Sequence, residues 1–134
     1  MIYLLDTNTC IQYLNGRSSF VIEKFKQKKP TDIAVCDIVK SELFYGAYKS
    51  QRKKENLQVV HDFLDEFVSL PFDGKAALKT GQIRAELAIK GTPIGAYDLQ
   101  IAAIALVHDL ILITHNIKEF SRVEGLRYED WEVS

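Results

Sequence analysis

The chain has 134 residues, with 17 Lys and Arg against 18 Asp and Glu, a formal charge of −1, 47% apolar residues and 26% charged ones. That length is one domain's worth, and the composition excludes a disordered chain or one that needs disulfides or metal merely to fold. The longest apolar stretch, Ile101–Val107, falls well short of the about 20 residues of a membrane span, and Met1 to Leu5 is too brief for a signal peptide. The expectation is a single cytoplasmic domain over 1–134 with no membrane partner.

Ile2–Leu5 is a continuous apolar run and reads as a buried strand of a parallel sheet. Thr7 or Asn8 can cap a short helix that stops at Asn15-Gly16, and Ser18 or Ser19 starts a second one carrying Phe20, Ile22 and Phe25. Ile33–Cys36 is the second strand. Asp37 is expected to cap a helix through about Tyr48, with Val39, Leu43 and Ala47 at four-residue spacing. A helix over 52–68, a short strand or link at Ser69–Phe72 and a helix over 74–90 ended by Gly91 follow. Beyond the loop Thr92–Gly95 a helix runs from about Ala96 to His108. Leu110–Thr114 is a strand, Asn116–Phe120 a short turn and Leu126–Tyr128 a last edge strand. Strands alternating with helices predict an α/β domain, a central parallel sheet flanked by helices with right-handed crossovers. Cys10 and Cys36 lie among apolar neighbours with no zinc-type spacing and read as small buried thiols.

The charge is unevenly spread. Between Arg17 and Lys54 there are ten basic and four acidic residues, and the rest of the chain has seven basic and fourteen acidic ones. A basic stretch of this kind suits an anionic partner, and a solvated Lys-rich helix face is the plain alternative. If Lys26, Lys28 and Lys29 serve such a partner, neutralising them should weaken its binding and flatten the salt dependence.

Parallel sheets build sites beyond the carboxyl ends of strands, where the strand order reverses. Asp6 directly follows the first strand, and His115-Asn116 follows Leu110–Thr114, with Glu119 one turn on. Glu42 lies in the helix after the second strand and Asp98 in the first turn of the helix 96–108. Each acid alone has an ordinary explanation: a helix cap for Asp6, an exposed carboxylate for Glu42, a favourable helix N-terminus for Asp98. Together they are costly, because two carboxylates 4 Å apart repel by roughly 4 kcal/mol at an effective dielectric near 20. A divalent cation removes that cost, and oxygen-only ligands suit Mg²⁺ or Mn²⁺. Such a site beside a basic stretch suits phosphodiester hydrolysis. The sequence has no HExxH, GxSxG, GxxxxGK[ST] or GxGxxG, so zinc hydrolysis, serine catalysis and nucleotide cofactors are excluded.

Four segments in order carry a resemblance: Leu5-Asp6-Thr7-Asn8, Ser41-Glu42-Leu43-Phe44-Tyr45-Gly46, Pro93-Ile94-Gly95-Ala96-Tyr97-Asp98 through Ala103, and Ile113-Thr114-His115-Asn116. From Ile2 to Trp131 the chain resembles the PIN (PilT N-terminal) domain nucleases, and especially the VapC toxins of bacterial toxin–antitoxin pairs. The resemblance implies a PIN-like three-layer fold and a Mg²⁺- or Mn²⁺-dependent endoribonuclease that uses metal-activated water and no covalent enzyme intermediate. It implies Asp6, Glu42 and Asp98 as metal ligands and catalytic acids. The fourth position is open between Asn116, at the usual place, and Glu119, the next acid. Thr7, Asn8 and Thr114 would orient carboxylates or waters. The resemblance also implies a homodimer, tRNA as the first-choice RNA substrate, and a VapB-type antitoxin that fills the groove, with Phe20–Phe25 and Leu43–Tyr48 as candidate contacts. Two other readings stay open: a PIN nuclease of RNA processing without an antitoxin, and a non-catalytic RNA- or protein-binding module in which Asn116 replaces an acid.

Overall fold

The short apolar runs pair side by side in the computed structural model, which describes residues 1–133. The strands are β1 (Tyr3–Leu5), β2 (Ile33–Cys36), β3 (Val68–Leu70), β4 (Ile111–Ile113) and β5 (Tyr128–Glu129). They form one sheet in the order β3-β2-β1-β4-β5, every pair parallel. Leu4 pairs with Ala34 on one side and Leu112 on the other, and all three are fully buried. A strand buried on both faces has no polar face to show, which is why these runs are continuous rather than alternating. Ser134, the last residue of the domain expected over 1–134, lies outside the described residues.

The helices are α1 (Thr7–Asn15), α2 (Ser19–Gln27), α3 (Asp37–Lys49), α4 (Lys53–Leu64), α5 (Gly74–Lys90), α6 (Ala96–Val107) and the single turn α7 (Ile117–Phe120). With right-handed crossovers, α1 to α4 cover one face of the sheet, and α5 and α6 the other. Within each set the helices pack together, α1 on α2 and α3, α3 on α4, and α5 on α6, and α3 also meets α6 of the other set. The chain walks outward from β1 to β3, then crosses back to β4 on the far side of β1. The order therefore reverses between β1 and β4, and the crevice lies beyond their carboxyl ends.

Helix ends follow the chain's own chemistry. Gly16 and Gly91 close α1 and α5 in left-handed conformations, at φ 66° and 72°, where a Cβ would be strained. Ser18 caps α2 through its side chain. Two caps differ from expectation. Neither Thr7 nor Asn8 caps α1; Asp6 does, its carboxylate accepting from the Thr9 N–H at 2.8 Å. Asp37 is the first residue inside α3, and the cap position is Cys36. Three boundaries also shift. α4 stops at Leu64 rather than near 68, because Val68–Leu70 pair in register with Ala34–Cys36 as β3. Residues 117–120 close a helical turn. The last strand is Tyr128–Glu129, with Leu126 buried in the turn before it.

Tyr13, Phe25, Phe63 and Phe67 form a ring cluster beneath α1, α2 and α4, which Trp131 joins through Phe25. Phe25 is thus committed to the core, whereas Phe20 stays exposed. Cys10 and Cys36 are free and buried, and burial pushes both thiols up.

The lysine cluster lies away from the crevice. Lys28 holds its ammonium 5.0 Å from the ring of Tyr3, and Lys29 leads through a 3-10 turn, Pro30–Asp32, into the start of β2. Those are the amino ends of parallel strands, opposite the end from which Asp6 emerges. Lys26 makes an ion pair with Glu23 on the same exposed helix surface. The Lys26–Lys29 group is therefore not beside the acids, contrary to the sequence expectation.

Candidate active site

Asp6 is where β1 turns into α1. Its backbone N–H still belongs to the sheet, donating to the Ile113 carbonyl at 3.0 Å, while its carboxylate already caps the helix. A group so placed cannot move out to water, and Asp6 is only 6% exposed. Burial pushes its carboxyl above the ordinary carboxylate range, partly offset by hydrogen bonds from Thr114 and Thr9 and reinforced by the charge of Glu42.

Thr114 is completely buried at the end of β4. Its Oγ1 accepts from the Asn116 N–H at 2.9 Å, which leaves its own proton free, and its hydroxyl works against burial by favouring the charged form of Asp6. Thr7, in the first turn of α1, donates its hydroxyl to Glu42 Oε1 at 2.7 Å, tying α1 to α3 at the crevice. Thr7 thus holds Glu42 by a direct bond, and Thr114 favours the charged form of Asp6.

Asp98 stands in the first turn of α6. Burial, then a hydrogen bond with Glu119 and the charges of Glu119, Asp6 and Glu42, push its carboxyl up to about 7. Glu119 moves the other way, lowered chiefly by that bond with Asp98 and further by donors from Asn116 and the Gly95 backbone. The opposite shifts describe one proton shared by a carboxyl pair. Glu119 Oε2 accepts from Asn116 Nδ2 at 2.7 Å, and Oε1 from the Gly95 N–H at 3.2 Å.

Asp6, Thr7, Asn8, Ile11, Glu42, Asp98 and Asn116 line one cleft of about 320 Å³. Four chain segments far apart in sequence meet there, as expected of the reversal point. Asn116 faces the cleft, while Glu119 stands behind it against both Asn116 and Asp98, so the two candidates for the fourth position act as one unit. No Lys or Arg lines the cleft. The donors are all oxygens or an amide, a set that suits a hard divalent cation rather than zinc.

Thr9, Gly95 and Arg122 were not singled out from sequence. Thr9 gives its backbone N–H to Asp6 and its hydroxyl to the Ile113 carbonyl at 3.2 Å. The Asp-x-x-Thr spacing carries the first of these, since a capping carboxylate takes the N–H three residues on. Gly95 supplies an N–H to Glu119, and Arg122 holds the loop before it through the Pro93 carbonyl at 2.8 Å. Those contacts depend on strand order and leave no local signal.

A second cluster lies at the adjoining ends of β4 and β5. His115 Nδ1 is 2.8 Å from Asp130 Oδ2 and 3.9 Å from Glu132 Oε2. Its ring pKa is raised, first by the hydrogen bond with Asp130. This ion pair fastens the C-terminal segment to the strand end that carries Asn116, and its residues are not among those lining the acid cleft.

Comparison with known proteins agrees with this architecture. The PIN domain family model matches residues 3–126. The chain is 43% identical over 129 residues to the tRNA(fMet)-specific endonuclease VapC of Salmonella typhimurium, covering 96% of this chain and 97% of that one. The crystal structure of DNA-bound VapBC from Salmonella typhimurium matches with a TM-score of 0.92 and 43% identity over 98% of both chains. VapBC2 from Rickettsia felis, bound to a DNA fragment from their promoter, matches with a TM-score of 0.90 at 37% identity, over 98% of this chain and 99% of that chain. A family model spanning most of the chain, and relatives this similar across nearly all of it, establish that the chain belongs to the PIN domain family, in its VapC branch.

Proposed function

We propose that this chain, as a single domain over 1–134, is a divalent-metal-dependent endoribonuclease and the toxin of a VapBC-type toxin–antitoxin pair, acting in the cytoplasm on RNA, with tRNA as the substrate class. The observation that carries it is the meeting of Asp6, Glu42, Asp98 and the Asn116–Glu119 unit at the reversal point of the sheet. The Salmonella relative's name supports tRNA, and the VapBC assemblies of the structural relatives support a VapB-type antitoxin; the chain would act as a homodimer. The convergence also favours catalysis over a degenerate binding module, because Glu119 supplies the charge that Asn116 lacks.

Asp6, Glu42 and Asp98 would hold Mg²⁺ or Mn²⁺, with Glu119 contributing through Asp98 and Asn116. When bound, the cation supplies Lewis acidity toward a phosphoryl oxygen and lowers the pKa of water. The chain's own residues set the geometry. Thr7 occupies Glu42 Oε1 and leaves Oε2 for the cleft. The Thr9 N–H fixes the Asp6 carboxylate, and the Thr114 hydroxyl favours its charged form. Asn116 commits Nδ2 to Glu119 and keeps Oδ1 as an acceptor. Such outer partners typically account for about 10- to 100-fold in metal affinity or activity. Thr114→Val, which keeps the shape and removes the hydroxyl, is expected to lower cleavage by about that factor, with Thr114→Ser retaining most of it. Single-turnover cleavage measures this, and an unimpaired valine variant would remove Thr114 from the mechanism.

The antitoxin segment would enter a second, largely apolar groove of about 340 Å³ between α1, α3 and α4. Ile11, Leu14, Leu43, Ala47, Val59 and Val60 line it, and Glu42 belongs to both it and the acid cleft, so a segment lying there reaches the acids. Phe25, one of the expected contacts, is taken by the core.

Purified protein is expected to cleave total tRNA with Mg²⁺ and to stop when EDTA is added. Cleavage indifferent to EDTA would contradict the metal site, and no cleavage of any RNA would contradict the nuclease.

A further inference from the structure

We propose that Tyr45 and Tyr97 form a stacking pocket for an unpaired nucleobase next to the scissile phosphate. This rests on the ribonuclease reading above and adds a residue-level basis for what it accepts.

Most rings of this chain are used in packing. Tyr13, Phe25, Phe63, Phe67 and Trp131 contact one another, and Phe44 packs against His61. Tyr45 and Tyr97 do not join them. They are 64% and 60% exposed, although each is anchored on a well-packed helix. Tyr48 and Phe20 are exposed as well, at 60% and 48%, and what sets Tyr45 and Tyr97 apart is the cavity they share.

The two rings come from different helices, α3 and α6, yet border the same cavity of about 390 Å³ with Ile38, Ser41 and Glu42. That size falls in the range of small-ligand pockets. Glu42 also lines the acid cleft, so cavity and cleft adjoin at that residue. Sequence position gives the same result: Tyr45 is one helical turn beyond Glu42, and Tyr97 immediately precedes Asp98. A phosphate at the acids therefore has an aromatic-walled cavity beside it. Lys49 holds its ammonium 5.2 Å from the Tyr45 ring centroid, a cation at the edge of an otherwise acidic region, suited to the next phosphate.

The chemistry of the walls selects the occupant. Proteins read single-stranded RNA by splaying bases onto aromatic faces, and every base has a π-face, so such a pocket takes a base with little regard to identity. Ser41 and Glu42 add hydrogen-bonding groups on one wall. A base held in a duplex cannot enter, whereas an unstacked loop base can.

The test uses the full chain and a stem–loop RNA that it cleaves, with 2-aminopurine placed in turn on either side of the cut bond. Stacking quenches this probe's fluorescence, and an Asp6→Asn background keeps the RNA intact during binding. Tyr45→Ala and Tyr97→Ala are each expected to lose the quench and to raise KM roughly 5- to 100-fold, with kcat changed by no more than about twofold. Tyr45→Phe and Tyr97→Phe keep the ring and should match the parent. Thermal melting verifies folding, which exposed positions of this kind tolerate. An unchanged KM and quench in the alanine variants, with the parent still cleaving, would overturn the stacking pocket and leave the ribonuclease intact. So would an effect confined to antitoxin affinity or to the oligomeric state in sedimentation, since the rings would then serve a protein surface. If the parent cleaves no RNA, the ribonuclease reading fails, and a pocket beside a scissile phosphate fails with it.

Discussion

Asp6→Asn is expected to reduce RNA cleavage at least about 100- to 1,000-fold, the scale on which a single group aimed at developing charge acts, and to abolish growth arrest. The fold should survive. Asn caps helices as well as Asp does, and its amide oxygen can still accept the Thr9 N–H. It also removes a buried carboxylate whose ionisation burial already disfavours, so the melting temperature should hold or rise. Only the charge is lost, together with the Mg²⁺-dependent rise in melting temperature that the acid set should confer. Gel assays of cleavage and calorimetry with and without Mg²⁺ read the two effects separately. Wild-type cleavage by this variant would end the case for Asp6, and a collapsed fold would show that its cap outweighs its chemistry.

Asp6 also illustrates what the sequence discloses. An apolar run followed by an acid gives both the strand and the site, because β1 is buried on both faces and its carboxyl end opens into the crevice. Gly16 and Gly91 mark helix ends for a reason that resides in one residue's backbone freedom. Asp98 is legible at the start of α6 for the same local reason. The cap assignments failed where one side chain has two uses: Asp6 serves both the helix and the cleft, so a polar neighbour looked like the cap. The boundary between α4 and β3 failed because Phe67 and Val68 continue the apolar pattern of either element, and only pairing with β2 decides. The lysines of 24–29 are adjacent to the site in sequence but at the opposite end of the sheet, a fact set by strand direction rather than by charge. The contact of Asp98 with Glu119 is least legible of all, since it needs α6 to pack back against β4.

That contact leads to the second large effect, a dependence of cation binding on pH. With no cation present, the Asp98 carboxyl titrates at about 7, raised by burial and by its bond with Glu119, while Glu119 is lowered. Below that pH the pair holds a proton, which a cation must expel to obtain two charged carboxylates. Affinity for Mg²⁺ should therefore fall about tenfold per pH unit below 7 and level off above it. Burial raises the Asp6 carboxyl in the same direction. The sign for stability follows from the same shift. A carboxyl raised on folding favours the fold while protonated, so this contribution is present below the unfolded value near 3.8 and is lost as pH rises through about 7. The cation-free protein should thus melt lower at pH 8 than at pH 5.5 on this account, and Mg²⁺ should raise its melting temperature more at pH 8. Titration calorimetry in buffers of different ionisation enthalpy should show close to one proton released per cation at pH 6 and almost none at pH 8.5. Glu119→Gln removes the neighbouring charge that helps to raise Asp98, so less proton release is expected from it at pH 6. Cation affinity flat from pH 5.5 to 8 would show that the Asp98–Glu119 pair lies outside the metal site, and would leave Asp6 and Glu42 as its ligands.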